Sequence, residues 1–140
     1  MQLSGKGLFQ NYTFVDEIEE LTGSTSTIFQ RIPQGFLRIS TNVKNIEGKR
    51  AVNTFIPIDS PVAQAIEKGE SYVGRAYVVN DWYLAAYEPI YINGRIEGIL
   101  YVGLPEKNMA DIKSFFLQKK YFDTGYPFLV DNNGTFIIHP

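Results

Sequence analysis

Short apolar runs that alternate with polar residues dominate the chain, and this pattern predicts β-strands more often than helices. The runs are Ser26–Gln30, Phe36–Thr41, Ala51–Ile56, Ser71–Val79, Trp82–Pro89 and Ile96–Val102. Turn residues separate neighbouring runs, with Pro33-Gln34-Gly35 after the first, Asn80-Asp81 after the fourth and Asn93-Gly94 after the fifth. Such short turns join antiparallel strands, so we expect a meander.

Two segments of the first 70 residues have the apolar spacing and the end signals of helices. Thr13–Leu21 carries apolar residues on one side, with Thr13 as a candidate cap and Gly23 as a stop. A second helix is expected to open at Ser60-Pro61 and to end at Gly69. An antiparallel sheet of about five strands flanked by helices belongs to the α+β class.

The last third of the chain predicts a separate unit. Met109–Phe122 has one apolar side and is expected to be an exit helix. Tyr126–Val130 and Thr135–Ile138, joined by a polar turn, form a predicted hairpin that is too small to be stable alone. We therefore expect one domain over residues 1–108, and in residues 109–140 the beginning of a second, truncated module.

Composition argues against several functions. The 13 basic and 15 acidic residues of the 140 nearly cancel, which disfavours nucleic-acid binding. No cysteine is present, the single histidine is His139, and no phosphate loop or nucleophile motif occurs. We expect no enzyme activity, no metal and no cofactor. No run approaches the roughly 20 apolar residues of a membrane span.

Arg75 is the candidate binding residue that stands out from the residues alone. In an extended strand it shares a face with Val73, Tyr77 and Val79, which places a permanent cation in an apolar row. We expect that row to face inward, where the guanidinium needs an anion. Either a ligand carboxylate or an internal acid, Glu88 or Glu97, would satisfy it, and the sequence leaves both open.

Further candidates lie on the neighbouring strands. Arg38 precedes Thr41 near a strand end, and together they could hold an anion, although a solvent-exposed arginine on the sheet is slightly favoured. Tyrosines are frequent in the meander and can line a small pocket with their hydroxyl groups. Strand alternation puts Tyr83 and Tyr87 on one face, opposite Trp82, and we expect that pair to face the pocket.

Several blocks of the sequence, in order, resemble the membrane-distal module of Cache 3/Cache 2 fusion domains. These domains occur in methyl-accepting chemotaxis proteins and sensor histidine kinases. The blocks are Thr27-Ile28-Phe29-Gln30, Arg38 with Thr41-Asn42-Val43, Gly48-Lys49-Arg50-Ala51, Gly74-Arg75-Ala76-Tyr77-Val78-Val79, Trp82-Tyr83, Tyr87-Glu88-Pro89-Ile90 and Leu100-Tyr101-Val102-Gly103. The sequence departs from the family pattern at Asn53, where a glycine is expected.

The resemblance implies a PAS-like fold and an extracytoplasmic domain of a membrane-anchored bacterial receptor. It implies recognition of a small molecule, which the arginines suggest is an organic acid, and a homodimer is compatible with it. It favours the ligand over an internal acid as the partner of Arg75. The expected binding residues are Arg75, Tyr77, Tyr83, Tyr87, Arg38 and Thr41. The alternative is a structural or dimerisation module that binds nothing.

Overall fold

The computed structural model describes residues 2–3, 6–106, 129–130, 134 and 136–138, with side chains over residues 7–106. The chain divides into two compact units, Met1–Pro105 and Glu106–Pro140. The helices described are α1 (Thr13–Thr22) and α2 (Pro61–Glu67). The strands are β1 (Gln2–Leu3), β2 (Lys6–Gly7), β3 (Thr25–Ile32), β4 (Gly35–Thr41), β5 (Phe55–Pro57), β6 (Tyr72–Val78), β7 (Asp81–Ile92), β8 (Arg95–Pro105), β9 (Leu129–Val130) and β10 (Phe136–Ile138). The exit helix predicted at Met109–Phe122 lies outside the described residues.

Six strands of the first unit form one antiparallel sheet in the order β5-β4-β3-β8-β7-β6. The turn between β7 and β8 has Asn93 and Gly94 at φ 51° and 76°, the backbone that a two-residue hairpin turn requires. Strands β9 and β10 pair antiparallel in the second unit, where the sequence predicts a hairpin. The sheet and its helices confirm the predicted α+β, PAS-like fold.

Each face of the large sheet carries its own apolar cluster. We call the face that packs against α2 the inner face and the face that packs against α1 the outer face. Buried residues on the inner side are Phe29, Phe36, Val43, Ala63, Ile66, Val78, Tyr83, Ala85, Tyr87, Ile99 and Tyr101. Those on the outer side are Leu8, Val15, Ile28 and Ile39. Because helices lie on both faces of the sheet, a side chain can be buried on either side.

The helix ends follow the predicted signals, with one exception. Gly23 ends α1 in the left-handed conformation at φ 69°, as expected. The expected cap at Thr13 is wrong, because Thr13 is the first helical residue and Tyr12 precedes it without a side-chain cap. In α2 the Ser60 hydroxyl accepts a hydrogen bond from the Ala63 N–H at 3.2 Å, which confirms that cap.

The strand predicted at Ala51–Ile56 is wrong over its first four residues. Only Phe55–Pro57 pairs as β5, while Asn53 adopts φ 63° in a turn. Asparagine tolerates this left-handed backbone better than most residues, which explains why it can stand where the family pattern has glycine. The turn stays beside β4, because the Asn53 N–H donates to the Arg38 carbonyl at 3.0 Å and the Arg38 N–H donates to the Thr54 carbonyl at 2.8 Å.

Candidate functional site

Polar side chains gather on the inner face, where four strands bring them among apolar residues. Strand alternation places side chains from β3, β4, β7 and β8 on this side. The residues are Thr25, Thr27, Arg38, Thr41, Tyr83, Tyr87 and Tyr101, which we call the inner-face cluster. All except Thr25 are buried, so each of their polar groups needs a partner.

Arg38 is the charged member of the cluster. Its side chain is only 7% exposed, and its Cζ lies 4.9 Å from the ring centroid of Phe29. One terminal nitrogen, Nη1, donates to the Thr54 hydroxyl, whereas the buried Nε has no hydrogen-bond partner. Within residues 7–106 no carboxylate forms an ion pair with Arg38. A permanent cation is therefore buried without a compensating acid from this part of the chain.

The electrostatic setting of Arg38 is that of a desolvated cation. Burial lowers the pKa of the Arg38 guanidinium below its ordinary value, and the nearby hydroxyl groups of Tyr87 and Tyr101 oppose that shift. An arginine does not lose its proton under ordinary conditions, so the charge persists. No carboxylate of residues 7–106 offsets the desolvation, and an added anion would do so.

A β-bulge determines which side chains share the face of Arg38. Phe29 pairs with Arg38 and Ile28 pairs with Ser40, so Ile39 is an extra residue in β4. Simple alternation would put Ser40 beside Arg38, but the Ser40 hydroxyl donates to the Asn11 carbonyl, close to the start of α1. The bulge instead brings Thr41 to the inner face together with Arg38.

The threonine hydroxyls of the cluster already have partners. Thr27 and Thr41 hydrogen-bond to each other through their Oγ1 atoms at 2.6 Å. Thr25 donates to the Gly103 carbonyl at 2.8 Å and lies 3.1 Å from the Tyr101 hydroxyl. These groups hold β3, β4 and β8 together, which is a structural role for them.

Tyr87 differs from Tyr101 in its hydrogen bonding. The two rings pack at a centroid distance of 5.0 Å, and Tyr72 packs on Tyr87 at 6.0 Å. Burial raises the pKa of Tyr87 to about 12, while the positive charge of Arg38 opposes that rise. Burial also raises the pKa of Tyr101, against a lowering effect of its hydrogen bond with Thr25. The Tyr101 hydroxyl has the Thr25 hydroxyl as its partner at 3.1 Å, and no side chain among residues 7–106 plays that part for the Tyr87 hydroxyl.

On this face Nε of Arg38 is a buried donor without a hydrogen-bond partner, and the Tyr87 hydroxyl belongs to the same cluster. They are close enough to influence each other's pKa, and aromatic rings surround them. A charged donor and a neutral donor of this kind suit an anion that accepts from both. Among residues 7–106 the cluster contains no carboxylate, so it offers no paired acid and base.

Arg75 and Tyr77 lie elsewhere, and the prediction that Arg75 faces inward is wrong. Both residues are exposed on the outer face of β6, where Arg75 lies over the ring of Trp82 with its Cζ 4.1 Å from the centroid. The inner side of β6 carries Tyr72, Gly74, Ala76 and Val78, and three of them pair with the inner residues Tyr87, Ala85 and Tyr83 of β7. The structure thus separates Arg75 and Tyr77 from Arg38, Thr41, Tyr83 and Tyr87.

Other members of the predicted set lie where alternation places them. Tyr83 and Tyr87 are both buried on the inner face, each 5% exposed, and Trp82 lies opposite. Arg38, which the sequence slightly favoured as a surface residue, is buried. Thr54 was not among the predicted residues at all, since it contacts Arg38 only through the unexpected turn.

Two open depressions occur at the β7–β8 turn, away from the cluster. The first, of about 510 Å³, is lined by Gln30, Ile92, Asn93, Arg95 and Glu97. The second, of about 570 Å³, is lined by Arg31, Glu67, Lys68, Gly69, Tyr91, Gly94, Arg95, Ile96 and Glu97. Their ionic groups are partly exposed, and Arg31 is already paired with Glu67 at 2.5 Å. Neither depression has the buried, uncompensated charge of the inner face.

Across the described ranges, no group of three or more histidine, cysteine or acidic residues is placed to hold a metal ion. No helix among those described is long and apolar enough to cross a bilayer.

Comparison with known proteins gives one family. The model of the Cache 3/Cache 2 fusion domain matches residues 1–140. No curated protein matches the sequence. No solved structure matches it either.

Proposed function

Because the chain belongs to the Cache 3/Cache 2 fusion domain family of sensor domains, we propose that it is the extracytoplasmic ligand-binding part of a bacterial transmembrane receptor. The ligand is a small organic acid, and the inner-face cluster binds it. The receptor output is chemotaxis or a histidine kinase, and residues 109–140 begin a second Cache module. The domain recognises the acid without converting it.

The observation that carries the proposal is the uncompensated charge of Arg38. A guanidinium that is 7% exposed and makes no ion pair within the described chain is costly to bury. A carboxylate ligand would supply the missing charge and accept from Nε. The Tyr87 hydroxyl can donate to a second carboxylate oxygen, and the surrounding rings would contact a short apolar tail.

Signalling follows if the acid binds two receptor states with different affinity. Arg38 lies on β4, and Thr41 at the end of the same strand accepts a hydrogen bond from Arg50 through its carbonyl at 2.9 Å. Arg50 also binds Asp16 of α1 at 2.7 Å. A shift of β4 on binding would therefore reach α1 through this chain of contacts.

The alternative is a structural or dimerisation module that keeps the fold and binds nothing. The close packing of Tyr87 on Tyr101 favours it, since side chains then fill the space that a ligand would need. The two functions differ in one respect that can be measured. A sensor gains stability when it binds an acid, whereas a structural or dimerisation module, which we call a spacer, does not.

The test is a thermal-unfolding series with formate, acetate, propionate, pyruvate, lactate and succinate, each at high concentration. An acid present at about 100 times its dissociation constant adds roughly 2.7 kcal/mol, which raises the midpoint by several degrees. We expect at least one acid to do so for the wild type and for Arg75→Met, but not for Arg38→Met. If no acid raises the midpoint of the wild type, the spacer function is favoured.

A further inference from the structure

Thr54 lies directly across from Arg38, where β4 meets the turn before β5. The Arg38 N–H donates to the Thr54 carbonyl at 2.8 Å, and Nη1 of the same arginine donates to the Thr54 hydroxyl. The Thr54 hydroxyl in turn donates to the Ala51 carbonyl at 2.8 Å. One short polar side chain therefore links the turn to the guanidinium.

The direction of these hydrogen bonds determines the orientation of the arginine. A hydroxyl has one proton, and Thr54 uses it on the Ala51 carbonyl, so its lone pair is left to accept from Arg38. The guanidinium is planar and rigid, so fixing Nη1 also fixes the direction in which Nε–H points. Nε is the buried atom that has no partner.

We infer that Thr54 is a positioning residue for the anion site: by accepting from Nη1 it holds the Arg38 guanidinium so that Nε–H is aimed at an anion on the inner face. This inference rests on the proposed function, because it assigns Thr54 a task at that same site. Thr54 itself does not contact the anion. It is exposed on the turn, whereas the group it orients is buried.

The position on the turn makes the role separable from folding. Thr54 is exposed and lies outside both buried clusters, although its hydroxyl reaches inward to two part-buried hydrogen bonds. Thr54→Val keeps the shape of the side chain and removes the hydroxyl, while Thr54→Ser keeps the hydroxyl and removes a methyl group. The pair isolates the hydrogen bond from the packing.

The first measurement is acid binding by calorimetry, using whichever of the six acids raises the wild-type midpoint most. We expect Thr54→Val to raise the dissociation constant roughly tenfold, in line with loss of a hydrogen bond to a charged group. Thr54→Ser should stay within about threefold of the wild type. In the unliganded protein, the unfolding midpoints of both variants should lie within a few degrees of the wild type. If Thr54→Val does not fold, Thr54→Ala replaces it.

The second measurement needs no acid. Nitrogen-detected NMR of the arginine side chains reports how fast each guanidinium rotates about its Cζ–N bonds. Slow rotation with resolved Nη signals is expected for Arg38 in the wild type and in Thr54→Ser, and averaged signals are expected in Thr54→Val. Equal averaging in all three proteins would overturn the inference whatever the acids do.

The outcomes distinguish this inference from the proposed function. Acid binding that Arg38→Met abolishes and Thr54→Val leaves unchanged would refute the role of Thr54 alone. Acid binding that Arg38→Met leaves intact would refute the proposed site, and the role of Thr54 would fail with it. Tenfold weaker binding in Thr54→Val, restored by Thr54→Ser, supports both.

Discussion

The rings of Tyr87 and Tyr101 pack against each other across β7 and β8 at a centroid distance of 5.0 Å, and both hydroxyls oppose the lowering of the Arg38 pKa by burial. Burial raises the pKa of Tyr87 to about 12 and raises that of Tyr101 as well. Both rings thus favour the neutral phenol in the folded protein.

Alkaline pH should destabilise the domain through these rings. An unfolded tyrosine loses its proton near pH 10, whereas the folded Tyr87, whose pKa is about 12, keeps it, so the folded state holds more protons in between. The free energy of unfolding should therefore fall as the pH rises from about 10 to about 12. Tyr87→Phe should show a shallower fall in urea titrations over this range, with Tyr91→Phe, an exposed tyrosine, as the control. If the free energy of unfolding falls equally with pH in Tyr87→Phe and in the wild type, burial does not raise the pKa of Tyr87.

Gly103 is predicted to be intolerant of a side chain. A Cβ at this position would lie 2.5 Å from Cζ of Tyr101, so the ring would have to leave its place in the inner-face cluster. Gly103→Ala should destabilise the domain by about 1–3 kcal/mol in chemical denaturation, as other overpacked positions do. The matched control is Gly74→Ala, also in a strand, where the nearest atom of Tyr72 is at an ordinary 3.7 Å. Equal stability of the two variants would show that Tyr101 moves without cost.

The ion pair between Arg50 and Asp16 is predicted to stabilise the packing of α1 on the sheet. Arg50 makes two hydrogen bonds to Asp16, at 2.7 and 2.9 Å, and lies over the Tyr12 ring at 4.3 Å. Asp16→Asn should lower the free energy of unfolding by about 0.5–1 kcal/mol at low salt, and less at high salt. Glu47, which pairs with Lys49 at the surface, gives the control. If Glu47→Gln lowers the free energy of unfolding as much as Asp16→Asn does, the two hydrogen bonds between Arg50 and Asp16 add no stability beyond that of a surface ion pair.

Alternation along the strands predicted the inner-face tyrosines from sequence. Tyr83 and Tyr87 are two strand positions on one face, opposite Trp82, and the regular register of β7 with β6 preserves that relation. The helix cap at Ser60 and the turn at Asn93 and Gly94 also follow from local chemistry, which does not depend on distant contacts.

The arginines could not be assigned in the same way. Alternation says which residues share a face, but it does not say which face is buried, and here the outer face of β6 is exposed although Val73 and Tyr77 are apolar. The prediction that Arg75 faces inward was wrong for that reason. Arg38 depends in addition on the bulge at Ile39 and on the turn around Asn53, two irregular features that only the folded chain reveals.

A single variant of Arg38 distinguishes a sensor from a spacer, because only in a sensor does this residue pair with an external anion. Arg38→Met keeps an unbranched apolar stem and removes the charge, so it deletes the proposed partner of the acid without leaving a carboxylate unpaired in the described chain. Replacing a buried ionic group by an apolar one of similar volume is often neutral or stabilising, by about 1–4 kcal/mol. The unliganded variant should therefore be at least as stable as the wild type.

The measurement is calorimetric titration of wild type and Arg38→Met with the acid that stabilises the wild type most, together with urea unfolding of both proteins without acid. We predict that Arg38→Met loses acid binding while its unliganded free energy of unfolding is equal to or above that of the wild type. Retained binding, or a loss of roughly 3–5 kcal/mol in the unliganded protein as for a broken internal ion pair, would contradict a ligand anion as the partner of Arg38.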